Sequence, residues 1–177
     1  RAGACFKLLL IGKGPYRDRL LRRIAELSLT EEIILVGEVP NEEIKEYCLA
    51  CDLFLFASRS ETQGIVLLEA MAAQTPVLAL RATGTEDIVA NGINGYMVDV
   101  SGDGALDILH DEQAFADRLM DILSGKELDA LRRGAKDTAG TYDCMKIAQK
   151  AAACYHEVLW NYNARQAGFY SQPARIG

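Results

Sequence analysis

The chain alternates short apolar runs with longer amphipathic stretches. The apolar runs have the length and continuity of strands buried on both faces, and they cover residues 6–11, 33–36, 53–57, 76–80 and 95–98. Between the first four runs, helix-length amphipathic segments cover residues 16–28, 41–51 and 64–73. The pattern then predicts helices only, over residues 111–124, 126–139 and 143–163.

Alternating strands and helices predict an α/β fold, since parallel strands need helical crossovers. We expect a Rossmann-like, doubly wound parallel sheet followed by C-terminal helices. Residues 1–163 are predicted to form one domain, and residues 164–177, which lack periodicity, a C-terminal tail. Asn41 is the predicted N-cap of the second helix, with Glu42 and Glu43 in its first turn.

Composition excludes several functional classes. A chain of 177 residues that is 50% hydrophobic can bury a core without disulfides or metal. No run approaches the ~18 apolar residues of a membrane span. The net charge of −6 and the scattered basic residues argue against nucleic-acid binding. One basic cluster is most simply a solvated helix face, although in a longer enzyme it also suits peripheral association with an anionic membrane: Arg17, Arg19, Arg22 and Arg23.

The cysteines indicate a reducing compartment. Their odd number, irregular spacing and apolar surroundings are typical of buried thiols, and we expect a cytoplasmic protein: Cys5, Cys48, Cys51, Cys144 and Cys154. Only Cys48 and Cys51 are close in sequence. A zinc site would need a second pair or a nearby His, and a redox pair would open a helix, whereas this pair closes one.

The residues after each apolar run are candidate ligand contacts, because ligands bind at the carboxyl ends of parallel strands. All four loops contain glycine, which lets the backbone approach a phosphate closely. The loops cover residues 12–15, 37–40, 58–64 and 81–86.

The loop at residues 58–64 and the following helix carry the most information. The N–H groups of Gly64, Ile65 and Val66 open the helix and form an anion site in the predicted crevice. Glu69 lies on this otherwise apolar helix, roughly 7 Å from Gly64 along its axis. Its carboxylate is therefore either paired inside the core or lines a ligand cavity, where it could accept both hydroxyls of a ribose diol.

At this point the sequence resembles a known family. Glu61 and Glu69 are separated by seven residues in the setting SRSETQGIVLLEAMAAQTPV. Together with LLLIGKGP, LVGEVPNEEIKEYCLACDLFLFAS and GTEDIVANGINGYMVD, this setting resembles the donor-binding, C-terminal half of retaining group 1 glycosyltransferases of GT-B fold. The resemblance runs from about Phe6 to Tyr155.

The resemblance implies a role for each matching residue. Glu61 would act as the catalytic carboxylate beside the transferred sugar, and Glu69 would bind the ribose hydroxyls. The remaining donor contacts would come mainly from backbone groups and glycine-lined space, at Gly12, Gly14, Gly37, Val39, Gln63, Gly64, Ile65 and Val66. The donor would be a nucleotide-diphosphate sugar, with uridine diphosphate the expected nucleotide.

Two departures from the family pattern stand out. Gln74 replaces a usual glycine, which we expect to affect packing only. The strand that starts the family's domain, the Arg and Lys that clamp the diphosphate and the acceptor-binding domain would all precede Arg1. We therefore expect a piece of a longer enzyme that is inactive by itself. Aromatic residues on the last predicted helix would form a docking face: Tyr142, Tyr155, Trp160 and Tyr162.

The resemblance also implies a mechanism. In a retaining enzyme of this class, the leaving diphosphate helps to deprotonate the acceptor, and the developing charge is stabilised electrostatically. The sequence has no Asp-x-Asp motif, and both histidines are remote from the loops. We expect transfer without a metal ion and without any cofactor besides the nucleotide-sugar substrate.

Other functions are less consistent with the sequence. A dinucleotide-dependent oxidoreductase would need a third glycine where Arg17 follows Gly12 and Gly14. A phosphoreceiver domain would need an Asp where Ser58 ends the third strand. A non-catalytic nucleotide-binding module remains an alternative.

Overall fold

A computed structural model describes residues 6–166 of the chain. The chain divides into two compact units, an N-terminal unit of residues 1–50 and a C-terminal unit of residues 51–177. Parallel strands alternate with helices in both, which confirms the predicted α/β class.

The N-terminal unit contains β1 (Leu8–Ile11), α1 (Arg17–Glu26), β2 (Ile33–Gly37) and α2 (Asn41–Leu49). The two strands pair in parallel, from Leu8 opposite Ile33 to Ile11 opposite Gly37. Both strands are half-buried to exposed, so the prediction of burial on both faces is wrong here. A sheet of two strands is too narrow to be covered on both sides by so short a unit.

The C-terminal unit contains β3 (Phe54–Phe56), α3 (Ile65–Ala72), β4 (Val77–Leu80), α4 (Thr83–Glu86), β5 (Gly95–Val98), α5 (Ala105–Ser124), α6 (Leu128–Thr141) and α7 (Cys144–Gln166). Its parallel sheet has the order β3–β4–β5. Every residue of β4, the central strand, is buried. The core is built on apolar side chains of β4, β5, α5 and α6: Leu78, Leu80, Val98, Ile122 and Leu131.

Three local features differ from the sequence prediction: a helix cap, a helix start and an additional helix. Helix α2 begins at Asn41 itself, with Pro40 in the N-cap position, so Asn41 is not the cap. Helix α5 begins at Ala105, because the Asp107 carboxylate accepts the N–H of Gly104 and caps the first turn. The short helix α4 occupies a segment that the sequence pattern left as a loop.

Helix α7 exposes the predicted apolar surface, with Tyr155, Trp160 and Tyr162 between 60% and 74% exposed. Tyr142 is not part of this helix: it follows α6, and its hydroxyl donates to the Asp87 carbonyl at 2.9 Å.

Cys48 is buried, but Cys154 on α7 is exposed, so the expectation of buried thiols is wrong for Cys154. Cys5 and residues 167–177 of the predicted tail lie outside the described residues, as does the Cys144 side chain.

Candidate functional site

The loop between β3 and α3 folds around the carboxylate of Glu61. Glu61 Oε1 accepts the backbone N–H groups of Thr62 at 3.0 Å, Gln63 at 2.9 Å and Gly64 at 2.8 Å. These bonds, the one from Gly64 foremost, hold the pKa of Glu61 below its ordinary value. The N–H groups at the start of α3 are thus arranged around negative charge.

This arrangement corrects one prediction. Gly64 N–H was expected to face an open crevice, yet it donates to Glu61. Ile65 and Val66 lie in the first turn of α3, where backbone N–H groups have no acceptor within the helix. Ile65 is exposed and Val66 is half-buried. The anion site predicted at the N–H groups of Ile65 and Val66 stays a prediction.

Two glycines allow this loop to approach the start of α4. Gly64 has φ +66°, and a Cβ there would collide with Ile88 Cδ1 and lie 2.6 Å from the Gly84 carbonyl oxygen. A Cβ on Gly84 would lie 2.6 Å from Gln63 N. Gly84 N–H donates to the Glu61 carbonyl at 3.0 Å. Sequence reasoning missed the role of Gly84, whose only signal was a glycine in the loop at residues 81–86.

Glu69 lies on the exposed side of α3. The buried side chains of this helix are Leu67, Ala70 and Met71, whereas Ile65, one turn before Glu69, is 56% exposed. Within residues 6–166 the Glu69 carboxylate has no hydrogen-bond or ion-pair partner. The geometry excludes a paired core carboxylate and leaves the ligand-binding alternative as a prediction.

An ion pair that the sequence did not reveal anchors the same loop. Arg59 donates from Nη2 to Asp111 Oδ2 on α5 at 2.6 Å and from Nη1 to the Gly102 carbonyl at 2.6 Å. The Asp111 side chain is only 3% exposed and also accepts the Ser101 N–H at 3.0 Å. The sequence pattern indicated no role for Asp111, which stood at the start of a predicted helix.

The electrostatics of Asp111 favour its charged form. Burial raises the pKa of Asp111, but the hydrogen bonds from Ser101, the charge of Arg59 and the contact with His110 together lower it further than burial raises it. The net pKa of Asp111 lies below its ordinary value.

Asp111→Asn is expected to weaken the dependence of the free energy of unfolding on pH in the acid range. Since the pKa of Asp111 is lowered by folding, the unfolded chain protonates first as the pH falls. The stability from this carboxylate is full above its ordinary pKa of about 3.9 and is lost below it. Urea unfolding across about pH 5 to 3 should show a shallower loss for Asp111→Asn than for wild type. Asp117→Asn on the exposed face of α5 is the control, and identical slopes for wild type and Asp111→Asn would contradict the expectation.

The predicted donor contacts of the N-terminal unit lie at the carboxyl ends of β1 and β2. Gly12 N–H donates to the Gly37 carbonyl at 2.7 Å, and both residues have positive φ, +125° and +87°. A Cβ at Gly12, Gly14 or Gly37 would meet nothing within 4 Å. Val39 is half-buried. The space beside these glycines is open, as a backbone that approaches a ligand requires.

Comparison with known proteins identifies the family of the chain. A family model described as glycosyl transferases group 1 matches residues 3–137. The chain belongs to this family. As a group 1 glycosyltransferase sequence, it places Glu61, Gly64 and Glu69 inside the matched region.

Two curated relatives align with most of the chain. The N-acetyl-alpha-D-glucosaminyl L-malate synthase of Bacillus anthracis is 28% identical over 155 residues, which cover 86% of this chain and 38% of that protein. The D-inositol 3-phosphate glycosyltransferase of Mycolicibacterium smegmatis is 29% identical over 163 residues, 89% of this chain and 35% of that protein. The chain thus spans little more than a third of these group 1 relatives.

A solved structure shares the fold. The pneumococcal O-GlcNAc transferase GtfA, in complex with UDP and GlcNAc, matches with a TM-score of 0.75 and 25% identity over 86% of this chain and 29% of that one.

Within the described residues, none of the helices combines the length and apolar content needed to cross a membrane. The same residues bring together no group of three His, Cys, Asp or Glu side chains suited to a metal ion.

Proposed function

We propose that this chain is the donor-binding domain of a retaining glycosyltransferase that uses a nucleotide-diphosphate sugar, a UDP-sugar in the first instance. The start of α3, where three backbone N–H groups hold the Glu61 carboxylate, carries the proposal. A helix start arranged around one anion, with the first-turn N–H groups of Ile65 and Val66 beside it, suits a diphosphate. The UDP and GlcNAc in the related GtfA structure support the donor class.

The spacing along α3 matches a nucleotide diphosphate. Glu69 lies about 7 Å along the helix from Gly64, comparable to the distance between the diphosphate and the ribose diol. Its carboxylate is exposed and has no partner in the described part of the chain, so it is available to accept two hydroxyls. We propose that Ile65 and Val66 bind the diphosphate through their backbone N–H groups, while those of Gln63 and Gly64 hold the Glu61 carboxylate beside the sugar.

Glu61 supplies the charge at the reacting centre. The backbone N–H groups that lower its pKa also fix its position, and a fixed carboxylate beside the sugar stabilises positive charge that develops at the anomeric carbon. In the proposed reaction, the diphosphate leaves and helps to remove the proton of the acceptor hydroxyl, which attacks from the same face of the sugar.

The other parts of the proposal rest on the length of the relatives and on the sequence analysis. The acceptor would bind to a further domain of the complete protein, because this chain spans little more than a third of its curated relatives. Donor contacts at Gly12, Gly14, Gly37 and Val39, transfer without a metal and a location in the cytoplasm remain predictions.

Glu69→Ala tests the nucleotide site. We expect UDP affinity to fall by about 1.5–3 kcal/mol, the range for hydrogen bonds to a charged group, with an unchanged melting temperature because the side chain has no partner in the folded unit. Calorimetric titration and thermal melts on the complete protein give both values. Glu112→Ala, which removes an exposed glutamate from α5, is the matched control. A lower melting temperature with unchanged UDP affinity would rule out the proposed role of Glu69.

A further inference from the structure

We propose that Arg59 and Asp111 are positioning residues that set where the Glu61 carboxylate lies relative to the donor sugar. The inference rests on the proposed function and deepens it, because it assigns part of the transfer step to an ion pair outside the proposed donor contacts. It follows from how the loop at residues 57–64 is attached to the rest of the C-terminal unit.

The first attachment is the Arg59 side chain. Its guanidinium bridges two acceptors from separate segments, the Asp111 carboxylate on α5 and the Gly102 carbonyl, both at 2.6 Å. The planar fork of arginine suits two acceptors at fixed directions, and a lysine could not reproduce both bonds. Asp111 is itself held by the Ser101 N–H. Both side chains of the Arg59–Asp111 pair, which anchors the loop, are therefore held by a further backbone contact.

The second attachment is the Glu61 main chain. Glu61 lies two residues after Arg59, and its carbonyl accepts the Gly84 N–H at 3.0 Å. The segment from Arg59 to Glu61 is thus fixed at one end to α5 and at the other to the start of α4. Release of the Arg59 end leaves residues 59–61 held by the Gly84 bond and by the bonds from residues 62–64 to the Glu61 carboxylate. The backbone before Glu61 then loses its attachment to α5 and can shift, and the carboxylate shifts with it.

The anchor acts on the sugar end of the proposed site and not on the nucleotide end. Glu69 belongs to α3, whose side chains Leu67, Ala70 and Met71 are fully buried and hold the helix independently of Arg59. Loss of the pair should therefore displace Glu61 while the UDP contacts on α3 persist. This separation distinguishes a positioning role from a purely structural one.

The test compares Asp111→Asn, Arg59→Met and Arg59→Lys with wild type in the complete protein. Release of UDP from UDP-glucose and from UDP-N-acetylglucosamine in water gives kcat and KM, and titration gives UDP affinity. We expect kcat to fall about 100-fold in Asp111→Asn and Arg59→Met, as for a catalytic group misplaced by about 1 Å. UDP affinity should stay within about twofold, and Arg59→Lys should recover part of the lost rate because it keeps the charge.

Asp117→Asn removes a carboxylate from the exposed side of the same helix and should match wild type. If Asp111→Asn does not fold, the same measurements on Arg59→Lys test the positioning role. The Arg59 side chain is partly exposed, so this substitution disturbs the fold less. Unchanged kcat in the folded variants, or a loss of UDP affinity as large as the loss of kcat, would overturn the positioning role alone. No release of UDP by wild type from either donor would overturn the proposed donor class, and this inference with it.

Discussion

Replacement of Glu61 by glutamine in the complete protein is expected to lower sugar transfer about 100- to 1000-fold, the usual effect of removing one electrostatic contact to a transition state. The carboxylate is ionised at neutral pH and held in place by three backbone N–H groups, and an amide cannot supply the same negative charge to the anomeric carbon. The KM for the donor should change much less, because its nucleotide end is assigned to α3.

Steady-state kinetics with a UDP-sugar, together with a thermal melt, check this expectation. The melting temperature should fall only modestly, since a glutamine oxygen still accepts hydrogen bonds from the loop. Glu112→Gln removes the same charge from an exposed position on α5 and should leave kcat unchanged. A Glu61→Gln variant with wild-type kcat would show that this carboxylate does not act in transfer.

Gly134→Ala is expected to destabilise the C-terminal unit by about 3 kcal/mol. A Cβ at Gly134 on α6 would collide with the Ile93 carbonyl oxygen and lie 2.7 Å from its carbon, and backbone cannot rotate away. The forced separation would also stretch the contact between Asn94 Nδ2 and Thr138 Oγ1, now 2.9 Å, at a side chain that is 1% exposed.

Gly140→Ala, in the same helix, is the matched comparison, and it is expected to raise the free energy of unfolding rather than lower it. A Cβ at Gly140 would meet nothing within 4 Å, so the only effect is the better helix propensity of alanine, about 0.5–1 kcal/mol of added stability. Urea unfolding of both variants measures the difference. Equal stabilities for the two alanine variants would contradict the close approach of α6 to Ile93.

The two predictions address different properties of the C-terminal unit. Glu61→Gln is expected to affect transfer far more than folding, whereas Gly134→Ala is expected to affect the packing of α6 and no proposed ligand contact.

The sequence by itself determined the α/β class, the approximate positions of all five strands and the family. Continuous runs of apolar residues located all five strands, although only β4 is buried along its whole length and β1 and β2 are half-buried to exposed. The observed strand Gly95–Val98 matches its prediction at both ends. The order and spacing of the glutamate pair and its neighbouring loops indicated the group 1 family, which the family model confirmed.

Only the tertiary structure decided how the candidate site is built. The Arg59–Asp111 pair joins residues 52 positions apart, and no local pattern reports a contact at that separation. The collision that requires glycine at position 84 likewise arises from a neighbouring loop. The sequence left two interpretations of Glu69, a paired carboxylate in the core or a carboxylate that lines a ligand cavity, because both are compatible with apolar neighbours on the helix. The exposure of Glu69 on α3 excluded the core pair. Hydrogen-bond partners and burial depend on which segments meet in space, so they follow from the fold and not from the periodicity of any one element.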